Sequence, residues 1–235
     1  MKIVTKKIDN TLIFYDKDIE INIEELFRSG FFDSSDVKNV EWINNETWVK
    51  KHYFRKGMMS FLGDKYLYSN LENTRSYREF QILGYLHKHK FNTCKPVIGW
   101  ATYNGATYTA NLVTEAIKAR TVKDLLDSSG IKYVRNDIFR QIGAEVAKMH
   151  NLNVFHGDLN INNIMISDGP KNSMEEKAQI WIIDFDKSMK TGYPIKKSDR
   201  YSNVERLKRS LIKTDNYDDV SFREFLNTYQ SLIKF

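Results

Sequence analysis

Two short blocks late in the chain leave it little freedom in what it can fold into. The first runs Val154-Phe155-His156-Gly157-Asp158-Leu159-Asn160-Ile161-Asn162-Asn163, and the second Ile180-Trp181-Ile182-Ile183-Asp184-Phe185-Asp186. The pattern is His-x-Asp, an Asn five residues beyond the Asp, then an apolar run ending in Asp-Phe. Each block adjoins a strand-like stretch, Ile164-Met165-Ile166 in one case and Ile180 to Ile183 in the other. Phosphoryl transfer needs such a set. Asp158 would accept the proton of an attacking hydroxyl, while Asn163 and Asp184 would hold the Mg2+ that neutralises nucleotide phosphates. The competing reading takes the same residues as turn formers on either side of a hairpin. Either block alone would leave that reading standing; both, in this order, argue against it.

Composition narrows the class further. A chain of 235 residues with 41% hydrophobic and 13% aromatic residues can bury a core, and suits one domain or two small lobes. No apolar run approaches the roughly 20 residues of a membrane span, and Met1 to Asn10 contain no signal-peptide apolar core. Cys94 is the only cysteine, which excludes intrachain disulfides and cysteine-rich zinc sites. These features point to the cytoplasm. The net charge of +6 calls for a polyanionic partner: phosphates, nucleic acid or an anionic membrane surface. Basic residues gather at 50–65 (Lys50, Lys51, His52, Arg55, Lys56, Lys65) and again between Lys187 and Lys213. No RNA-motif or zinc-finger pattern accompanies them, so no nucleic-acid partner is expected.

Along the chain, β-branched and aromatic content predicts strands at 11–15 and 47–54, with a short helix within 20–29. A helix opens near Asn73-Thr74-Arg75-Ser76, with Asn73 or Thr74 as its N-cap and Tyr77, Phe80, Leu83, Gly84 and Leu86 near a 3.6 period. Strands at 97–103 and 107–114 flank the turn Asn104-Gly105. Helices follow at 122–126 and 136–152, the latter with Ile138, Ile142, Val146 and Met149 on one stripe. A short basic helix near the end carries Val204, Leu207, Leu211 and Ile212 on one face, and Arg206, Lys208, Arg209 and Lys213 around the rest. Strands with one helix first and helices later make an α+β chain with a small β-rich lobe at 1–115 and a helical lobe at 116–235.

Five blocks in order carry a family likeness: Lys51 to Gly57, Glu72 to Phe80, His156 to Asn163, Ile183 to Lys187, and Arg206-Leu207-Lys208-Arg209-Ser210. With these the chain resembles the lipopolysaccharide kinases of the protein-kinase-like superfamily, most closely the 3-deoxy-D-manno-octulosonic acid (Kdo) kinase branch. The resemblance implies a two-lobe protein-kinase-like fold with a truncated helical C-lobe, since no long activation segment or set of substrate-lobe helices fits after Asp186. It also implies ATP and Mg2+ as cofactors and a glycolipid substrate, Kdo–lipid A. The setting would be peripheral contact with the anionic cytoplasmic face of a bacterial inner membrane, and no obligate protein partner is expected.

Carried over by position, Lys51 is the strand lysine for the nucleotide's α/β-phosphates and Val49 lies beside the adenine, with Lys50 as the alternative lysine. Glu79 is the helix carboxylate that pairs with Lys51. Glu115 and Ile117 offer hinge backbone to the adenine, Asp158 is the base, and Asn163 and Asp184 are the metal ligands. His156 is read as structural. Two departures stand out. No G-x-G-x-x-G precedes Lys51, where Asp33 to Lys38 takes its place, and an acid, Asp186, follows Asp184-Phe185. A core heptose kinase and a small atypical protein kinase are the alternatives within the class, and a catalytically dead nucleotide-binding scaffold lies outside it.

Overall fold

The computed structural model describes residues 1–32, 38–55, 63–128, 135–167 and 178–234. Its contacts divide the chain into two units, Met1–Tyr85 with Cys94–Ala116, and Leu86–Thr93 with Ile117–Phe235. The division by sequence placed 86–93 with the first unit. Hydrogen bonds show why the stretch packs in the second: Ile182 N donates to Asn92 O (3.1 Å), Gln179 Nε2 to Asn92 Oδ1 (3.1 Å) and Lys148 Nζ to Lys90 O (2.7 Å). Ala116, in turn, stays with the first unit by donating from its N–H to Thr47 O (2.8 Å).

The first unit is an antiparallel sheet with two helices. Its strands are β1 (Ile3–Ile8), β2 (Thr11–Asp16), β3 (Val40–Ile43), β4 (Trp48–His52), β5 (Tyr66–Leu67), β6 (Pro96–Asn104) and β7 (Thr107–Glu115). They lie in the order β1-β2-β6-β7-β4-β3, with β5 also on β7. Ile13 and Phe14 are neighbours on β2 and both wholly buried. Successive strand residues face opposite ways, so both faces of the sheet are covered. On one face Phe14 meets Tyr77 and Phe80 of α2 (Arg75–Lys88) edge-on, at 5.0 and 5.3 Å between centroids. On the other, Ile13 clusters with Trp100, Phe32 and Ile23 of α1 (Ile23–Arg28).

Two local expectations shift. The β6–β7 turn is Gly105-Ala106, one residue later than Asn104-Gly105, because Asn104 already pairs with Thr107. Gly105 takes φ 61°, which a side chain would oppose. Neither Asn73 nor Thr74 caps α2 with its side chain: Thr74 Oγ1 donates to Leu71 O (2.7 Å) and Asn73 Nδ2 to Ser69 Oγ (3.0 Å). Instead the N–H of Arg75 finds the hydroxyl of Tyr108 (3.1 Å).

The second unit holds α3 (Val122–Asp127), α4 (Arg135–Asn151), α5 (Lys197–Lys213) and α6 (Asp219–Leu232). Short strands accompany them: β8 (Arg120–Thr121), β9 (Val154–Phe155), β10 (Ile164–Ser167), β11 (Gln179–Ile182) and β12 (Met189–Lys190). β10 pairs with β11 and β8, and β9 with β12. The α4 stripe of Ile138, Ile142, Val146 and Met149 is buried, and α6 packs against this helix. The sequence reading had no helix at α6. Its signal is nevertheless there: Asp218 Oδ1 accepts from Val220 N (3.2 Å), and Phe222, Phe225 and Tyr229 recur at helical spacing on its buried face. The basic helix of the tail is longer than expected, since it begins at Lys197. Its buried face takes Asn203 with Val204, Leu207 and Leu211, whereas Ile212, the next residue round the helix, is 55% exposed.

Candidate active site

Each unit carries its own set of chemistry-bearing side chains. In the first, alternation along β4 separates the two candidate lysines. Lys51 turns to the face covered by α2, where its ammonium meets both oxygens of Glu79 (3.2 and 2.9 Å). Lys50 turns to the other face, its Nζ above the rings of Phe31 and Trp100 at 5.5 and 5.4 Å. Glu79 is 3% exposed, and a carboxylate so buried needs several partners. Tyr53 supplies another, donating from its hydroxyl to Glu79 Oε2 at 2.5 Å while Lys51 Nζ lies 4.8 Å from its ring centre. Tyr53 was missed by the sequence reading. It follows Val49 and Lys51 on the same period of two, and that spacing could have found it.

The remaining first-unit assignments carry less. Val49 pairs with Trp42 and Thr114 and is half-buried. Glu115 sends its side chain to Lys95 Nζ (2.6 Å) and its N–H to Lys95 O (2.8 Å). In the second unit, Ile117 O accepts from Ala119 N (2.9 Å). Asp33 to Val37, the stretch standing where a glycine-rich loop would be, lies outside the described residues. Burial pushes the Cys94 thiol up to about 12, so it offers no thiolate.

In the second unit the blocks Val154 to Asn163 and Ile180 to Asp186 are bonded into one structure. His156 Nε2 donates to Ile183 O (3.0 Å) and Ile183 N donates to Asn163 O (3.0 Å), which pins the residue just before Asp184 through both of its backbone groups. His156 Nδ1 accepts from Asp158 N (3.3 Å), so this imidazole is the Nε2–H tautomer with both nitrogens committed to the turn. His156 is therefore a structural strut. Two amides also hold the turn, Asn160 Nδ2 and Asn163 Nδ2 donating to Asp158 O at 2.9 and 3.0 Å. Asp184 sits at φ 64°, a left-handed conformation that aspartate tolerates better than most residues.

The carboxylate of Asp158 faces two cations the sequence had not joined to it. Lys187 Nζ lies 2.9 Å from Oδ2 and Arg206 Nη1 3.5 Å from Oδ1. Arg206 had been grouped with the tail's exposed basic face. Its position on α5 gives it a different role, because three residues of that helix brace the turn that carries Asp158. Asn203 Oδ1 accepts from His156 N (3.1 Å), Arg206 reaches Asp158, and Ser210 Oγ accepts from Ile161 N (3.0 Å). Asn203 is also the hub of a buried relay: His150 Nε2 bonds its Oδ1 (3.1 Å) and Tyr229 OH bonds His150 Nδ1 (2.8 Å). Burial, with Arg200 and His156 nearby, drives the His150 pKa down to about 4 against the opposing pull of Asn203.

The donors fit a hard divalent cation. Because Asn163 spends its Nδ2 on Asp158 O, its Oδ1 is the atom left for a metal, and Asp184 adds a half-buried carboxylate. Two oxygen ligands suit Mg2+, which keeps several waters and shares the phosphates of its nucleotide. Among the described residues no group of three or more His, Cys, Asp or Glu could hold a metal ion.

Comparisons with known proteins show the family and the fold. The lipopolysaccharide kinase (Kdo/WaaP) family description matches residues 28–229. A 3-deoxy-D-manno-octulosonic acid kinase of Vibrio cholerae is 38% identical over 165 residues, 69% of this chain and 64% of that relative, less than two thirds of its length. One of Vibrio parahaemolyticus is 34% identical over 216 residues, covering 87% of this chain and 85% of the relative. Among solved structures, WaaP in complex with acyl carrier protein has a TM-score of 0.59 at 15% identity, covering 84% of this chain and 77% of its own. The amicoumacin kinase hAmiN, in complex with AMP-PNP, Ca2+ and Ami, gives 0.53 at 13%, covering 91% and 78%. Both likenesses are of fold, and the fold is protein-kinase-like.

Proposed function

This chain belongs to the lipopolysaccharide kinase (Kdo/WaaP) family, and on that premise we propose that it is an ATP-dependent kinase acting on a hydroxyl of Kdo in Kdo–lipid A. One observation supports this reading above the others. The turn from His156 to Asn163 and the strand end at Asp184 are hydrogen-bonded together, so a carboxylate base and two oxygen ligands belong to one rigid element. Asp158 orients the acceptor hydroxyl and takes its proton as the new O–P bond forms and ADP departs with the electrons of the broken bond. Asn163 and Asp184 would hold Mg2+, which when bound neutralises phosphate charge. In the first unit, Lys51, steadied by Glu79 and Tyr53, is assigned to the α/β-phosphates. Val49 and the backbone of Glu115 and Ile117 are assigned to the adenine.

The acceptor is an anionic glycolipid, and we assign the enzyme to an anionic membrane surface. Among the described residues no helix is long and apolar enough to cross a membrane. Lys190, Lys196 and Lys197 are exposed alongside Met189, Tyr193 and Tyr201, which are 50%, 61% and 64% exposed. Cations mixed with amphipathic rings suit an anionic leaflet.

The test is ADP release by the purified chain with Mg2+-ATP, with and without Kdo–lipid A, the lipid presented in anionic or neutral vesicles. Acceptor-dependent release, faster on anionic vesicles and suppressed by salt, is the expected result. Release unaffected by Kdo–lipid A would overturn the acceptor, and equal rates on both vesicle types would overturn the membrane assignment.

A further inference from the structure

Phosphoryl transfer spreads negative charge over the oxygens of the moving group, and something cationic has to meet it. Between Asp158 and Asn163 the loop offers none, since Leu159, Asn160, Ile161 and Asn162 are all uncharged. In the first unit, the ammonium of Lys51 is already committed to a buried carboxylate and the ring of Tyr53. Lys187 stands apart from both. Its Nζ lies 2.9 Å from Asp158 Oδ2, yet its side chain is 54% exposed.

The backbone of Lys187 is held far more tightly than its side chain. Gly157, at φ 72°, approaches so closely that a Cβ there would stand 2.2 Å from Lys187 O. One residue on, Ser188 Oγ donates to His156 O (2.7 Å) and Ser188 N to Phe185 O (3.0 Å). Beyond it Met189 pairs with Phe155 and Lys190 with Val154. These contacts anchor the root of Lys187 along the stretch Val154 to Gly157 that leads into Asp158. The flexible stem then swings from a fixed point, and a half-exposed ion pair is weak enough to exchange partners. Arg206 remains on the other oxygen of Asp158 when Lys187 leaves.

We propose that Lys187 is a catalytic residue: its ammonium leaves Asp158 for the transferring phosphoryl group as the acceptor hydroxyl takes its place on the carboxylate. The proposal rests on the phosphoryl-transfer reading above and adds a cation to it. Bonds and protons balance as before, with the hydroxyl proton passing to Asp158 while Lys187 keeps its own.

The experiment compares the wild-type chain with Lys187→Met and Lys187→Arg, measuring kcat and KM for ATP both with Kdo–lipid A and in the slower transfer to water. Thermal melting serves as the control for folding. Lys187→Met should lose about 10²-fold or more in kcat in both reactions, with KM for ATP within about threefold of wild type. Lys187→Arg should recover much of the loss, because a guanidinium still carries the charge. A kcat for Lys187→Met within about threefold of wild type, or a loss seen only in KM, would overturn the proposal. So would equal inactivity of both variants with a lowered melting point, which would make the ion pair a brace for the turn. A wild-type chain that ignores Kdo–lipid A would overturn the acceptor reading instead, and the water reaction would still decide Lys187.

Discussion

Glu79 and Asp158 each hold a lysine at 2.9 Å, but their surroundings differ. Glu79 is enclosed: its side chain is 4% exposed, that of Lys51 is 24%, and Tyr53 donates a short hydrogen bond to the same carboxylate. Asp158 is 28% exposed, and its lysine is 54% exposed. The same pair of functional groups thus serves two purposes. Enclosed, it fixes a lysine in place, and separating the partners leaves a charge with little water to replace the lost contact. Open to water, it is a resting arrangement that a substrate can displace. The energetic reason is that a lone buried charge is expensive, whereas solvent replaces a lost partner at the surface.

The largest difference should appear when the lysines are removed. Lys51→Met takes a cation away from the buried carboxylate of Glu79 and should cost about 3–5 kcal/mol of stability, together with ATP affinity. Lys187→Met should cost about 1 kcal/mol or less in stability. Urea titrations of the two variants check this, and equal losses would remove the distinction between an enclosed and an open pair.

A second measurement concerns the support beneath Asp158. His150 is held near 4 in the folded chain, against an ordinary 6.5. The unfolded chain therefore binds the extra proton first. The contribution is fully present above pH 6.5 and is lost as pH falls towards 4, by roughly 3 kcal/mol. His150→Gln should flatten this part of the pH–stability curve relative to wild type, as read from urea midpoints at pH 7 and 4.5. Parallel curves for the two proteins would show that His150 does not titrate on unfolding. The smallest effect belongs to α5. Arg206→Gln should lower kcat by no more than about fivefold, the equivalent of one weak ion pair of about 1 kcal/mol. Arg209→Gln, at an exposed position, should leave kcat unchanged. Similar values for both would detach Arg206 from the base and return it to the basic face.

How much of this was legible in the chain depended on spacing. The turn at Asp158 and the strand before Asp184 could be read as structure because their residues are close in sequence and chemically unusual. Strand alternation also placed Lys51 and Lys50 on opposite faces, although only α2 decides which face meets a carboxylate. The partners of Asp158 were not legible, because Lys187 and Arg206 come from segments 29 and 48 residues away. Arg206 read as one charge on a basic helix until Asn203 and Ser210, on the same side, were seen to bond the catalytic turn. The helix α6 was missed for a different reason. Its periodic face was present, but the expectation of a truncated tail left no place for it.

The most direct test of the central claim is mass analysis of Kdo–lipid A after incubation with Mg2+-ATP and either the wild-type chain or Asp158→Ala, with nucleotide affinity measured alongside by calorimetry. Wild type should add one phosphate to the lipid. Asp158→Ala should bind Mg2+-ATP comparably and transfer about 10² to 10⁴ times more slowly, the range expected for a lost general base. Transfer by the variant at the wild-type rate would contradict the assignment of Asp158 as the base.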